Sequence, residues 1–318
     1  MSEFDLIRRY FTRATPGAVL GVGDDAALLR IATGMELAVS TDMLVSGTHF
    51  FPDADPYLLG HKTLAVNLSD MAAMGAMPRW ATLSLALPEV NEFWLQRFSA
   101  GFFALADEYG VDLIGGDTTR GPLNLCVTIL GEVPRGGSLR RDGAQIGDDI
   151  WVSGTLGLAA LGLAHLLSKI TLPEDARIFC LAALHQPQPR VALGIALRGI
   201  AHSAIDISDG LLADLGHLLE RSNCGADLHF AAIPSHLRNG NDAVEKALIE
   251  HCTLSGGDDY ELCFTAPVAR RLEIESISNQ LKLPLSRIGN IRAELGCTVH
   301  TEDGNELNTG KGGYDHFA

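Results

Sequence analysis

Apolar and polar positions alternate along the first half of this chain in blocks that predict interleaved helices and strands. The spacing of apolar residues predicts helices over 4–13, 57–74 and 92–109, and Gly75 and Gly110 follow the last two as stop signals. Short apolar runs between the helices predict strands, the first of them buried. They lie at 37–42, 82–87, 111–114 and 123–133.

The second half of the chain repeats this alternation. A polar, glycine-rich stretch over 134–148 precedes it, and we place a domain boundary there, between residues 1–137 and 138–318. The expected architecture is therefore two mixed α/β domains. Beyond the boundary the patterns predict strands at 149–153, 204–207, 261–265 and 297–300, and helices at 157–167, 174–185, 190–201 and from 208 onward.

The charge balance argues against nucleic acid as a partner. The 318 residues include 24 Lys and Arg against 39 Asp and Glu, which gives a formal net charge of −15. Nucleic-acid binding needs clustered basic residues, and the one small cluster of note spans 135–141. A protein this acidic can still bind a nucleotide if divalent cations supply the positive charge.

The cysteines and apolar runs predict a protein of the cytoplasm. None of the six cysteines forms a C-x-x-C pair or fits a zinc-ligand spacing, so we interpret them as small hydrophobic residues in a reducing compartment. The longest apolar run, 156–167, is too short to cross a membrane, and the N-terminus lacks a signal-peptide layout. We therefore expect no membrane partner.

Six short acidic segments, most of them beside glycine, carry the candidate chemistry. Glycine allows sharp turns and close ligand approach, while aspartate supplies hard oxygen ligands on a short side chain. Together they predict a pocket where carboxylates hold several divalent cations, and Mg²⁺ bound to a polyphosphate fits best. The segments lie at 23–25, 40–42, 67–70, 115–117, 206–209 and 256–259.

The predicted elements place most of these segments where ligands bind. The segment 40–42 ends a strand, 115–117 follows one, and 206–209 precedes a helix whose free N–H groups favour phosphate. Asp70 lies in an otherwise apolar helix, where a carboxylate is costly to bury unless it is paired or bound to metal. Asp214, one turn beyond the helix start, is expected on the polar face.

Several motifs allow more than one interpretation when taken alone. The G-x-G-D-D run at 21–25 equally fits a surface turn, and Arg140 and Arg141 are equal candidates for a phosphate. The chain has no Walker A sequence and no Ser-His-Asp or Cys-His arrangement. Phosphoryl transfer fits this inventory because it depends on positioning and charge neutralisation rather than on a protein nucleophile.

Taken in order, the motifs resemble those of the thiamine-monophosphate kinase family, from about residue 4 to 317. They are VGDDAA at 22–27, STD at 40–42, AVNLSDMAAMG at 65–75, LIGGDTT at 113–119, AIDISDGL at 204–211 and SGGDDYEL at 255–262. The resemblance implies the two-domain α/β fold of the aminoimidazole ribonucleotide synthetase superfamily. Residues 1–137 would then bind ATP and Mg²⁺ and form a β-barrel-like interface in a homodimer, with 138–318 as a separate α/β domain.

The resemblance also implies direct in-line transfer of the γ-phosphate of ATP to thiamine monophosphate, with several Mg²⁺ ions and no phospho-enzyme. The implied Mg²⁺ ligands are Asp25, Ser40, Thr41, Asp42, Asp70, Asp117, Asp206 and Asp209. The implied ATP contacts are Gly116, Asp117, Arg141 and Ser208. The implied contacts to thiamine monophosphate are His49, Asp258 and Tyr314. The family often has glutamate where this chain has Asp258, and Asp259 is a substitute candidate for that contact.

Two alternatives to this function stay open. One is another ATP-using enzyme of the same superfamily. A selenide-activating relative would need a reactive cysteine near its N-terminus, where this chain has none before Cys126, and a carbamoyl-dehydrating relative would be expected to end in a cysteine. The other alternative is a non-catalytic protein that binds Mg²⁺ and a nucleotide.

Overall fold

The computed structural model describes residues 2–236 and 244–307 and divides the chain into two units. The first unit comprises residues up to Met71 together with Ala76–Gly136, and the second comprises Ala72–Gly75 and residues from Gly137 onward. Within the described ranges, no helix combines the length and apolar character needed to span a membrane. The predicted mixed α/β architecture is confirmed, while the roles predicted for the two domains stay predictions.

The first unit is built on an open four-stranded sheet in the order β1-β4-β2-β3. Strand β4 pairs antiparallel with β1 and β2, and β2 pairs parallel with β3. No closed barrel forms within the part of the single chain that the structure describes. The elements are α1 (Glu3–Tyr10), β1 (Met35–Val45), α2 (Pro56–Ala73), β2 (Met77–Leu87), α3 (Glu92–Tyr109), β3 (Asp112–Arg120) and β4 (Asn124–Pro134).

The helices of this unit end where glycine was predicted to stop them. Gly110 adopts a left-handed φ of 64° at the C-cap of α3, and its N–H donates to the Ala106 carbonyl. Gly75 has a φ of 61° just after α2. Left-handed backbone costs glycine little because it has no Cβ, so both positions end their helices without strain.

Strand β1 differs from its prediction. The apolar run at 37–42 predicts a buried strand, yet Val39 is 56% exposed and Leu37 is 41% exposed. The prediction is wrong for the single chain because β1 lies at the sheet edge and alternates in burial. Ser40 and Asp42 are half-buried, while the intervening Thr41 is exposed.

The second unit contains a six-stranded sheet in the order β10-β7-β9-β5-β8-β6, antiparallel except for β10 and β7. Its buried core packs Ile150 and Ile205 of the sheet against Leu211 and Leu215 of a helix. The elements are β5 (Asp149–Ser153), α4 (Leu158–Leu166), α5 (Glu174–His185), α6 (Val191–Ala196), β6 (Ser203–Asp206), α7 (Leu211–Ser222), β7 (Gly225–His229), α8 (Lys246–Ser255), β8 (Leu262–Ala266), α9 (Arg271–Leu281), β9 (Leu285–Arg292) and β10 (Gly296–His300).

Sequence patterns located most of these elements but not all. Strand β5 has the predicted bounds, while α6 ends at Ala196 rather than at the predicted 201. Strands β7 and β9 and helices α8 and α9 had no prediction. Strand β9 is only partly apolar because Arg287, Asn290 and Arg292 interrupt it. The sequence therefore lacks the continuous apolar run that identifies a buried strand.

We predict that Gly101→Ala destabilises the first unit strongly. A Cβ at Gly101 of α3 would overlap the Tyr57 carbonyl of α2, so the two helix backbones would have to separate. The expected loss is at least about 2 kcal/mol in the free energy of unfolding, measured by urea denaturation. Gly216→Ala in α7 is the matched control because nothing lies within 4 Å of its added Cβ. The free energy of unfolding of that variant should rise by about 0.5–1 kcal/mol. Equal stability of the two variants would contradict the account.

Candidate active site

A cavity of about 690 Å³ lies within the first unit and collects three of the predicted site residues. Its wall combines α1, residues 21–27, and parts of β2 and β3. Asp25, Gly116 and Asp117 all line it. Gly116 has a φ of 150°, and a Cβ there would overlap the Leu83 carbonyl, so only glycine fits beside β2.

A second group of predicted residues lies where β1 meets α2. The Ser40 hydroxyl donates to Asp70 Oδ2 at 2.5 Å. The Asp42 N–H donates to Asn67 Oδ1 at 3.1 Å, and Asn67 Nδ2 donates to the Thr63 carbonyl at 3.0 Å. Asn67, only 1% exposed, therefore fixes the backbone at Asp42 from the neighbouring helix. Its position in the 67–70 segment was noted in the sequence, but this positioning role was missed.

Thr41 lies apart from its two neighbours. Successive side chains of a strand point to opposite faces, and the Thr41 hydroxyl pairs with Thr128 Oγ1 at 2.8 Å on the exposed face of the sheet. Its side chain therefore cannot join Ser40 and Asp42 around one ion. Within residues 2–236 and 244–307, no group of three or more His, Cys, Asp or Glu side chains is arranged to hold a metal ion.

His49 is held in a tight turn that fixes its tautomer. Its Nδ1 lies 2.9 Å from the Val45 amide nitrogen and accepts that N–H. The His49 amide in turn donates to the Val45 carbonyl at 2.9 Å. An Nδ1 that accepts a hydrogen bond carries no proton, so the neutral ring bears its N–H at Nε2 and can donate from there.

In the second unit, the segment 206–210 connects β6 to α7. Asp206 is 4% exposed, while Ser208 and Asp209 are half-buried. The three N–H groups of Ser208, Asp209 and Gly210 all donate to Asp214 Oδ2, at 2.9, 3.0 and 3.1 Å. We call this segment the metal loop because Asp206 and Asp209 are predicted ligands.

Two predictions about Asp214 and the start of its helix are wrong. It was expected on the polar face of its helix, but it is 4% exposed. The N–H groups that were expected to receive a phosphate donate to this carboxylate instead. Burial raises the pKa of Asp214 to about 7, with the Asp209 charge adding to the rise and the three N–H donors opposing it. The sequence signal for this role was the position of Asp214 in the first turn of α7, from which its carboxylate can accept the free N–H groups at the N-terminus of the helix.

The segment 256–260, which we call the substrate loop, is bonded directly to the metal loop. The Asp258 N–H donates to the Ser208 carbonyl and the Tyr260 N–H to the Ile207 carbonyl, both at 2.8 Å. Gly257 approaches Ser208 so closely that a Cβ would lie 2.5 Å from its carbonyl oxygen. The structure thus brings predicted residues from positions 206–209 and 258 together, although about fifty residues separate them in sequence.

Asp259 and Glu261 anchor the substrate loop to the rest of the second unit. Both Asp259 oxygens accept the Gly157 N–H where α4 begins, at 3.0 and 2.8 Å. Burial raises the pKa of Asp259 well above its usual range, although the Gly157 donor opposes the rise. Glu261, 5% exposed, pairs with the Arg190 guanidinium and accepts the Ser153 hydroxyl. Asp259 therefore serves the fold, which argues against it as the substitute for Asp258.

The structure distinguishes the two arginines that the sequence could not. Arg140 Nε and Nη2 bind the Asp142 carboxylate at 2.8 and 2.6 Å, which raises the pKa of Arg140. Within the described ranges, no hydrogen bond or ion pair holds the exposed Arg141 guanidinium. Tyr314, the remaining predicted contact, lies outside the described residues.

Residues 23–133 match the family model "AIR synthase related protein, N-terminal domain". The chain is similar to the thiamine-monophosphate kinase of Salmonella typhimurium, with 47% identity over 99% of this chain and 98% of that protein.

Two solved structures resemble the whole chain. The thiamine-monophosphate kinase from Stenotrophomonas maltophilia K279a superposes with a TM-score of 0.86 at 48% identity, covering 96% of this chain and 98% of that one. AaThiL, solved as a complex with AMPPCP and TMP, superposes with a TM-score of 0.79 at 30% identity. The match covers 99% of this chain and 96% of that one.

We predict that Asp214→Ala destabilises the protein by about 2–4 kcal/mol, because it leaves three N–H groups of the metal loop without their acceptor. Asp214→Asn keeps an acceptor oxygen at the same place, so its loss in the free energy of unfolding should be less than half that of Asp214→Ala. Denaturant unfolding of the two variants measures the difference. Equal losses in both variants would show that the negative charge, rather than the hydrogen bonds, is what matters there.

Proposed function

The chain belongs to the thiamine-monophosphate kinase family, and we propose that it transfers the γ-phosphate of ATP directly to thiamine monophosphate. The single observation that carries this function is the similarity, over nearly the full length, to kinases of that name. The bound AMPPCP and TMP of AaThiL support the same two substrates for this chain. The products would be thiamine diphosphate and ADP.

The cavity of the first unit is the proposed nucleotide site. Its volume of about 690 Å³ suits a nucleotide-sized ligand, since small-molecule sites commonly enclose ~300–1,000 Å³. Ile7, Phe11 and Leu85 supply an apolar wall on which a purine can pack. Asp25 and Asp117 line the same cavity, where cation-bound phosphates would need oxygen ligands.

Mg²⁺ is the proposed cofactor, and the chemistry of the donors fits it. The predicted ligands carry only carboxylate and hydroxyl oxygens, which are the ligands that a hard cation prefers. We assign Asp25, Ser40, Asp42, Asp70 and Asp117 to it in the first unit, and Asp206 and Asp209 in the second. Thr41 is left out because its hydroxyl lies on the other face of β1. Bound there, Mg²⁺ would neutralise the phosphate charge and align the reacting groups.

The chain's own residues would bind and orient the two substrates. Arg141 would hold a phosphate of ATP through its guanidinium, while Ser208 and Gly116 would contact the nucleotide. His49 would donate its Nε2–H to thiamine monophosphate, consistent with the tautomer that Val45 imposes. Asp258 would accept from, or pair with, the amino-bearing or cationic ring of that substrate. Direct in-line transfer then needs no protein nucleophile.

A homodimer is the proposed assembly. Val39 and Met43 of the edge strand β1 are 56% and 53% exposed, and they lie on the uncovered face of the sheet. An exposed apolar edge is a liability unless another chain covers it. A second copy offers the same strand, so two open sheets could meet through β1 and form the barrel-like interface implied by the family. Analytical ultracentrifugation measures this state directly.

The experiment that tests the function is incubation of the purified protein with ATP, Mg²⁺ and thiamine monophosphate, with thiamine diphosphate and ADP quantified together. Equal amounts of both products are expected. Folded protein that binds ATP with Mg²⁺ but forms neither product would instead favour a non-catalytic nucleotide-binding protein. ADP formed without thiamine diphosphate would indicate a different acceptor.

We predict that Asp42→Asn lowers kcat by at least about 100-fold without unfolding the protein. The variant removes a charged ligand, while the Asp42 backbone N–H that binds Asn67 is unchanged. Asp53→Asn, at an exposed position of the same unit, is the control and should retain full activity. A wild-type rate for Asp42→Asn at saturating Mg²⁺ would exclude Asp42 as a ligand.

We predict that Arg141→Ala raises the KM for ATP by about tenfold or more, because it removes a charged phosphate contact. Arg140→Ala is the matched control. Its guanidinium is already paired with Asp142, so its loss should leave the KM within about twofold of wild type. Initial rates at varied ATP measure both variants, and the reverse ranking would assign the phosphate to Arg140.

A further inference from the structure

The carboxylate of Asp258 is held by the side chain of a neighbouring tyrosine. The Tyr260 phenol donates to Asp258 Oδ1 at 3.1 Å. Tyr260 itself is 8% exposed, while Asp258 is half-buried. A buried and therefore fixed donor thus contacts the one residue of the substrate loop that is proposed to touch the acceptor substrate.

The backbone of this segment is unusual and brings the two side chains together. Asp258 has a φ of 70° and Tyr260 a φ of 50°, both in the left-handed region. Such values are uncommon for residues other than glycine, and a bulky tyrosine adopts them only where its surroundings hold it. Here the Asp258 and Tyr260 N–H groups are fixed by the Ser208 and Ile207 carbonyls at 2.8 Å.

The phenolic hydroxyl is not needed to hold the loop itself. The loop is fixed by those two backbone bonds, by Asp259 on the Gly157 N–H, and by the pairing of Glu261 with Arg190. Removing one hydroxyl leaves all of these contacts in place. The hydroxyl acts on the Asp258 carboxylate, to which it donates directly.

We propose that Tyr260 is a positioning residue that orients the Asp258 carboxylate toward the amino-bearing or cationic heterocycle of the acceptor substrate. The inference rests on the proposed function, since it takes Asp258 as the contact to thiamine monophosphate. Asp258 has a short side chain with rotatable bonds, and a ligand that must order it loses affinity. The Tyr260 hydrogen bond orders the carboxylate before the substrate arrives, so its effect belongs to substrate binding rather than to phosphoryl transfer.

Tyr260→Phe tests this role because phenylalanine keeps the ring and removes only the donor. The KM for thiamine monophosphate should rise about tenfold, which is the size of one hydrogen bond to a charged group. Both kcat and the KM for ATP should stay within about twofold of wild type. Tyr57→Phe, in the first unit, is the matched control and should leave all three constants unchanged.

A double-mutant cycle decides whether Tyr260 acts through Asp258. Asp258→Asn alone should raise the KM for thiamine monophosphate, and adding Tyr260→Phe to it should change that constant by less than about twofold. Additive effects would overturn the proposal, as would an unchanged KM in either single variant or a loss confined to kcat. Tyr260→Phe could also lower the thermal unfolding midpoint and change the KM for thiamine monophosphate equally with and without Asp258→Asn. That result would make the role of Tyr260 structural and would overturn the proposal.

The proposal and the kinase activity fail in different ways. Wild-type protein that forms no thiamine diphosphate would contradict the proposed function before any variant is measured. Wild-type protein that forms the product, with a KM that Tyr260→Phe does not change, would contradict only the role of Tyr260.

Discussion

A carboxylate is costly to bury, and each unit of this protein holds its own carboxylates by giving them hydrogen-bond donors. Asp214 accepts three backbone N–H groups, Asp259 accepts the Gly157 N–H, and Asp70 accepts the Ser40 hydroxyl. The donors hold these carboxylates in place, although burial still raises the pKa of Asp214 and of Asp259. In low dielectric such bonds are strong, which is why the carboxylates can be partly buried.

The arrangement divides the acidic residues into two classes. Asp214 holds the metal loop, while Asp259 and Glu261 anchor the substrate loop to the rest of the second unit. Asp206, Asp209 and Asp258 belong to the loops that those anchors hold. A site with fixed ligands does not need to reorganise when charge moves, and phosphoryl transfer depends mainly on such positioning.

The sequence was sufficient for the elements whose signals are local, and for the family. Helix α3 has the predicted bounds because Gly110 stops it, and strand β5 is centred on the apolar run at 150–152. Ordered motifs along the whole chain predicted the kinase family, which the comparisons confirm. Individual site residues remain predictions, since similarity of a whole chain does not test the role of each side chain.

What the sequence could not provide depends on distant contacts. The burial of β1 depends on whether another chain covers its face, and the role of Asp214 depends on a backbone turn that aims three N–H groups at one oxygen. The pairing of 206–210 with 256–260 joins segments whose own patterns say nothing of each other. Each of these is a long-range or conformational fact that no local pattern encodes.

The central claim is that a site whose proposed ligands are carboxylate and hydroxyl oxygens accepts a triphosphate only when divalent cations accompany it. Isothermal titration of the folded protein with ATP, in Mg²⁺ and then in EDTA without Mg²⁺, tests this most directly. The account predicts that removal of Mg²⁺ weakens ATP binding by at least about 100-fold. Equal ATP affinity with and without Mg²⁺ would contradict it.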